Sequence, residues 1–459
     1  MSDSTPASTD AATAASTPSA TTAAPAAVHD PIRTLLEKAR EEISRNALAE
    51  AAQTLNQAQR QRPGDARVFM MAGLMAEKSG NVAGAFDALR KCVALSPDWG
   101  PGLLELALLH ARNNQFAQAI ELAEKVARLE PRNPMVLAGV VDIATRGGYL
   151  DMAVAHLRRG LEVFPDDVQL QQYLARNLST LGRWEEAIAQ WDALIARQPA
   201  DAIARLGRVQ TLLAAGQPER AIDDTLALLE QEPGNSVFAY YNALAHGQTP
   251  AHQPPELSQE LFDGMAEVYD LHVVRRLGYY LPREVAQQIK ALHPEGEYHV
   301  LDLGCGTGLL GLYLGRIEGF LIGVDCSRQM VQQAKRHGVY DRFHTVNLHD
   351  ALAETPDALY HVITALDVFI YAGALDQTIP NAHRILRPGG HFIFSCETAP
   401  EGGAELVLQT NGRYAHRRDH VEQLCRNAGF VRVDVEDVVL RKENDQPVHG
   451  FVITAHKAA

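Results

Sequence analysis

A chain of 459 residues is longer than one hydrophobic core ordinarily supports, so more than one domain is expected. Its 56 acidic side chains against 42 basic ones give a net charge of -14, and no stripe of Lys and Arg gathers anywhere, which argues against nucleic acid as a standing partner. Five scattered cysteines (Cys92, Cys305, Cys326, Cys396, Cys425) form no C-x-x-C pair, and no run reaches the ~18–20 apolar residues of a membrane span, so a reduced, cytoplasmic protein without a membrane partner is expected.

Residues 1–29 are almost entirely Ala, Ser, Thr and Pro, with Asp3 and Asp10 the only charged side chains before His29. There is no basic stretch followed by an apolar one, so neither a secretory signal nor a transit peptide is indicated. Too little apolar surface is present to bury, and a disordered tail is expected.

From residue 30 the sequence becomes periodic. Pro63, Pro97, Pro131, Pro165, Pro199 and Pro233 are each 34 residues apart. Twelve residues before each stands an alanine (Ala51, Ala85, Ala119, Ala153, Ala187, Ala221), and seventeen before each a Gly or Asn (Asn46, Gly80, Asn114, Gly148, Gly182, Gly216). Gly or Asn takes the left-handed conformation that ends a first helix, the small Ala admits close approach of the second, and Pro stops that second helix. This 34-residue helix-turn-helix unit resembles the tetratricopeptide repeat. The resemblance implies an α-solenoid of six helix pairs over 30–246, with 236–244 as a capping helix, and a protein or peptide partner in the groove. A bare scaffold or dimerisation role is the alternative. Relatives that grip chaperone tails carry Lys and Asn on the first helices, where this chain has Met70, Leu74, Leu104 and Leu108, so a carboxylate clamp is not expected. Residues 247–256, rich in Gly, Gln and Pro, read as a linker.

Next, Phe262, Met265, Ala266 and Tyr269 fall on one face of an amphipathic helix. The most telling run follows: an apolar strand ending in Asp302 enters Gly304-Cys305-Gly306-Thr307-Gly308 and then a helix-forming stretch. Glycines there permit a sharp turn and let a ligand lie on bare N–H groups at a helix start. Gly306 to Gly311 also satisfies the G-x-G-x-x-G dinucleotide pattern, but Asp302 would repel a pyrophosphate on that loop. A second strand, 320–324, ends in Asp325, an acceptor suited to a ribose diol. A later turn, Leu386-Arg387-Pro388-Gly389-Gly390, leads into strand 391–396. Together these motifs resemble the class I S-adenosylmethionine-dependent methyltransferases over residues 257–459.

The resemblance implies a doubly wound, Rossmann-like α/β domain of seven strands: 298–303, 320–324, 343–346, 360–366 and 390–396, closed by a hairpin of 431–438 and 448–456. It implies S-adenosyl-L-methionine as cofactor. Gly304, Gly306 and Gly308 would line its methionine part, Asp302 would orient the ammonium and Asp325 would hold the ribose. Asn347 would stand in for the usual acidic residue at the adenine, with Leu348 packed on the ring. Tyr269, with the segment to Pro282, would act as a lid. Asp367 after the fourth strand and His416 are the candidate bases, with Tyr371, Arg413 and Tyr414 toward the acceptor; Phe369 is equally a core residue. His416 and His420 are spaced like metal ligands on a helix, but only Cys425 is near and no metal site is expected. The expected function is methyl transfer to a small-molecule or carrier-bound acceptor. A protein methyltransferase whose substrate the repeats recruit, or a non-catalytic cofactor-binding scaffold, are the alternatives.

Overall fold

The computed structural model describes residues 30–266, 269–270, 278–294, 297–443 and 446–459. The tail 1–29 and much of the lid segment, including Leu277, lie outside them. The described residues divide into two compact units, those up to Pro165 and those from Asp166 to Ala459. The division falls within the repeat array, after Pro165.

Among the described residues of the first unit eight helices alternate, from Arg33–Ser44 and Leu48–Gln61 to Pro134–Arg146 and Leu150–Val163. The three columns of the repeat do what their chemistry dictates. Asn46, Gly80, Asn114 and Gly148 all have positive φ, between 58° and 80°, and each stands just past a helix end. Ala51, Ala85, Ala119 and Ala153 are completely buried between paired helices. Asp65, Asn81 and Asn133 cap the following helices by accepting backbone N–H groups.

The second unit opens with the rest of the array: Val168–Thr180, Trp184–Arg197, Ala202–Ala214, a short 3-10 turn running into Ile222–Gln231, and the capping helix Ser236–Ala245. Gly182 and Gly216 are again left-handed, and Ala187 and Ala221 again fully buried. Trp191 fills this core and its indole N–H donates to Thr211 Oγ1 at 3.0 Å, so its one polar group is satisfied.

An α/β layer structure follows. Nine strands are present among the described residues: β1 (Val300–Leu303), β2 (Leu321–Val324), β3 (Arg342–His344), β4 (Tyr360–Ala365), β5 (Leu386–Thr398), β6 (Leu406–Leu408), β7 (Tyr414–His416), β8 (Arg432–Glu443) and β9 (Gln446–His456). Their order is β3-β2-β1-β4-β5, with β9 antiparallel to β5 and β8 antiparallel to β9. The first five are mutually parallel. β1 and β2 are buried at every position, as strands covered on both faces must be. Helices between the strands cover the two faces.

Seven strands stand at the expected places; β6 and β7 are additional. At Glu397 one edge of β5 is taken by β9, so β7 uses the edge that β4 vacates after Ala365, pairing parallel through Glu397–Ala415 and Thr398–His416. The β6–β7 hairpin thereby builds up the carboxyl edge of the sheet, where ligands of such folds sit. Among the described residues no helix is long and apolar enough to cross a membrane.

Candidate active site

β1 ends and the chain turns through three left-handed glycines: Gly304 (φ 64°), Gly306 (52°) and Gly308 (84°). They differ in purpose. A Cβ on Gly304 would lie 2.3 Å from Val368 Cγ2, so the loop packs directly on the β4 exit. A Cβ on Gly306 would meet nothing within 4 Å, because that backbone faces open space. Gly308 starts helix Leu309–Leu314 and backs onto Ala334 and Tyr340, away from that space.

Asp325, at the end of β2, clamps this loop. Its Oδ2 accepts the Gly306 N–H and its Oδ1 accepts the Ser327 N–H, both at 2.8 Å. Burial pushes its pKa up to about 6 against those two bonds. Asp302 lies deeper. Its two oxygens accept the hydroxyls of Tyr340 (2.6 Å) and Thr364 (2.8 Å), and burial likewise lifts it to about 6. It braces the strand ends beneath the loop and does not line the cleft.

A cleft opens between these strand ends. Gly304, Gly306, Asp325, Asn347, Leu348, Asp367, Tyr371 and Tyr269 all line it, so most of the expected site residues converge. Met330, Val346 and Leu348 make one end apolar. At the other, Phe262 meets Tyr371 edge-on at 5.1 Å and Tyr269 at 6.2 Å. Helix Pro255–Met265 carries Phe262, and its Asp263 accepts the Ser327 hydroxyl at 2.6 Å, fixing that wall. Asp270 and the Thr307 hydroxyl are hydrogen-bonded on the glycine loop. Asn347 caps helix Leu348–Glu354, its side-chain oxygen accepting the Asp350 N–H at 2.9 Å, so that oxygen is engaged within its own helix start.

Asp367 has a left-handed backbone (φ 58°), costly for a residue other than Gly, held by its N–H donating to Ser395 Oγ at 2.8 Å. Its Oδ2 accepts Arg441 Nη1 at 2.7 Å, while its Oδ1 is buried with no hydrogen-bond partner among the described residues. Arg441 is 3% exposed and also binds Glu397 and Glu443. Arg413 joins this cluster through Glu443 and Glu397 and also meets the Tyr371 hydroxyl; it stands behind the cleft wall and does not line the cleft itself.

Two further expected residues are placed outside the cleft, with Asp302 and Arg413. His416 is buried, Nε2 donating to the Gly373 carbonyl at 2.7 Å, and burial pushes its pKa down to about 4. It is outside the cleft and stays neutral, so it is corrected from candidate base to packing residue. Tyr414, from the same strand, donates to the Pro250 carbonyl at 3.0 Å and is fully buried. Phe369 is completely buried core.

The span 247–256 is corrected too, from linker to docked strap. Ala374 N–H donates to the Ala251 carbonyl at 2.8 Å, and His252 Nδ1 donates to the Ala372 carbonyl at 3.0 Å. A Cβ on Gly373 (φ 83°) would sit 2.1 Å from the Ala251 carbonyl oxygen, so only glycine permits this approach. Gln253, Pro255 and Ser258 consequently enter the cleft wall. Nothing local in the sequence marks them, or Arg441, because each is brought in by contacts more than seventy residues away.

The cleft fits an adenosyl-methionine ligand on three grounds. Its main chain at Gly306 is bare toward open space, a carboxylate lines it at the ribose position, and an apolar slot follows for a base. Residues 300–390 match the methyltransferase-domain family, and 36–98, 104–168 and 174–236 match the tetratricopeptide repeat. Demethylmenaquinone methyltransferase of Symbiobacterium thermophilum is 28% identical over 240 residues, covering 42% of this chain and 94% of that one. Ubiquinone biosynthesis O-methyltransferase of Coxiella burnetii is 29% identical over 144 residues, covering 30% of this chain and 58% of that relative's length. Among solved structures, 1,6-didemethyltoxoflavin-N1-methyltransferase of Burkholderia thailandensis, with bound S-adenosylhomocysteine, has a TM-score of 0.36 at 21% identity, covering 46% and 93% of the two chains. A tetratricopeptide repeat protein of Parabacteroides merdae has 0.38 at 18%, covering 51% and 91%.

The α/β part is an S-adenosylmethionine-dependent methyltransferase domain. The chain as a whole joins that enzyme to an array of tetratricopeptide repeats.

Proposed function

We propose that the cleft holds S-adenosylmethionine along the β1 and β2 ends and methylates a small molecule, free or carrier-bound, admitted beside Tyr371. The observation that carries this is the convergence of bare Gly306 backbone, Asp325 and the Phe262–Tyr269–Tyr371 wall on one cleft. When bound, the cofactor supplies an electrophilic methyl on a cationic sulfonium. Asp325 would accept the ribose hydroxyls on lone pairs left after its two backbone bonds. Gly304 and Gly306 would let the methionine part lie on main chain. Leu348 and Val346 would cover the base, with Asn347 at its edge. Tyr269, Phe262 and Tyr371 would exclude water and hold the acceptor in line, the main need of a reaction whose methyl is already activated. Asp302 and Gly308 would act from beneath, keeping the loop in shape.

The rings of Phe262, Tyr269 and Tyr371 offer this cleft a wall on which a small ring-shaped acceptor would pack. The quinone-pathway names of the two curated relatives lean the same way. The repeats would take a protein or peptide partner, and the strap ties the array's capping helix to the cleft wall.

The test is calorimetric titration with S-adenosylhomocysteine. Asp325→Ala should weaken binding about 10- to 100-fold, as expected for losing hydrogen bonds to a charged acceptor. Asp325→Asn should fall between. Unchanged affinity in both would overturn the site.

A further inference from the structure

Resting on that site, we propose that the methyl acceptor is an acidic hydroxyl on an aromatic or enolic framework. Asp367 Oδ1 takes its proton, and Arg441 is the residue that positions Asp367. Asp367 lines the cleft together with three aromatic rings, and its Oδ1 is buried with no hydrogen-bond partner among the described residues. A buried acceptor atom left bare has a desolvation cost that a ligand's O–H or N–H would relieve. Its geometry is imposed by groups from several elements: Ser395 on the backbone N–H, Arg441 on Oδ2, and Glu397 and Glu443 fixing Arg441 in turn.

The chemistry selects among acceptors. A neutral amine already carries the lone pair that attacks and needs no base beforehand, so a dedicated carboxylate has nothing to do at that stage. A hydroxyl does need one. A carboxylate is a weak base, and a phenolic proton (pKa about 10) is within its reach far sooner than that of an aliphatic alcohol. As the O–C bond forms, the O–H bond breaks with its proton passing to Oδ1, and the C–S bond breaks with its electron pair left on sulfur. The cationic sulfonium and anionic Asp367 are neutralised together. The products are a methyl ether, S-adenosylhomocysteine and protonated Asp367, which returns its proton to water.

Burial raises the pKa of Asp367 while Arg441 and Arg413 lower it, Glu397 opposing them; Tyr269, Tyr279, Tyr371 and Cys396 are its other titratable neighbours among the described residues. Removing the Arg441 charge therefore moves the acid limb of kcat/KM to higher pH.

The experiment uses the full chain with naphthol, aminonaphthalene and naphthalenemethanol, which share one ring system, and measures S-adenosylhomocysteine release and methylated product. Transfer to naphthol is expected at least about 10-fold faster than to the other two. Asp367→Asn should lower kcat about 100-fold, within the usual range for a lost general base, with S-adenosylhomocysteine affinity unchanged. Arg441→Met should shift the acid limb upward, and Arg441→Lys should restore part of it. No transfer to naphthol, or equal transfer by Asp367→Asn, overturns the inference. Loss of S-adenosylhomocysteine binding by the unaltered protein would instead sink the cofactor site itself.

Discussion

Gly304 and Gly306 share a left-handed backbone and a motif, yet the same substitution should fail differently at each. Gly304→Ala puts a methyl 2.3 Å from Val368 Cγ2, and Val368 itself lines the cleft. Backbone strain and overpacking together should cost about 2–4 kcal/mol, seen as a lower midpoint in denaturant unfolding. Gly306→Ala bears only the strain of its φ, about 1 kcal/mol, because nothing stands within 4 Å. Its methyl occupies the space intended for the cofactor, so S-adenosylhomocysteine affinity should fall at least about 10-fold while the fold persists. Equal loss of stability in both variants would contradict this division. The same distinction explains what the motif revealed. Gly-x-Gly and Asp325 are legible because a ligand on bare backbone admits few residue types. Asp302 is legible as a motif member but not in its role, since Tyr340 and Thr364, which occupy its oxygens, lie outside any motif.

Helix pairs and long strands were readable because their periodicity is spread over many residues, and each repeat column has one physical job. β6 and β7 are not: at three residues each they are too short to display alternation, and unlike the equally short β3 they fall outside the strand–helix succession that the motifs imply. The docking of the strap is hidden from the sequence for a related reason. Gly247 to Pro255 has turn-like composition, but composition does not say where backbone carbonyls go. Those of Pro250 and Ala251 are taken by Tyr414 and Ala374, far along the chain. If the strap is a structural wall, Gly373→Ala should dislodge it, its methyl falling 2.1 Å from the Ala251 oxygen. Gln253 and Pro255 then leave the cleft. The expected outcome is faster proteolytic cleavage within 247–256 and weaker S-adenosylhomocysteine binding, with the sheet intact by circular dichroism. Unaltered cleavage would show the strap to be a free tether.

At the scale of the second unit, histidines and carboxylates set opposing responses to pH. At the amino end of the sheet, opposite the cleft, His293, His361 and His391 cluster. His391 lies 5.8 Å from His293 between ring centres, and burial lowers all three, His391 to about 4. His416 is likewise pushed to about 4, and His349 and His383 are lowered. In the unfolded chain each would take a proton near 6.5. As pH falls below that value the unfolded state binds more protons, so the stabilisation present above 6.5 is lost as pH drops toward the folded values. For His416, almost wholly buried, the loss is on the order of 3 kcal/mol. Asp302 and Asp325 act the other way: lifted to about 6, they stabilise the fold fully below their unfolded value and lose this as pH rises through 6. Between about pH 7.5 and pH 5 the six depressed histidines pull the melting temperature of this unit down, His391 and His416 most, while Asp302, Asp325 and Asp367, all raised, pull it up. Relative to the parent, His416→Gln, whose amide can still donate to the Gly373 carbonyl, should shift the change over that interval upward, and Asp302→Asn should shift it downward. A His416→Gln profile parallel to the parent's would mean that the buried imidazoles do not control this response.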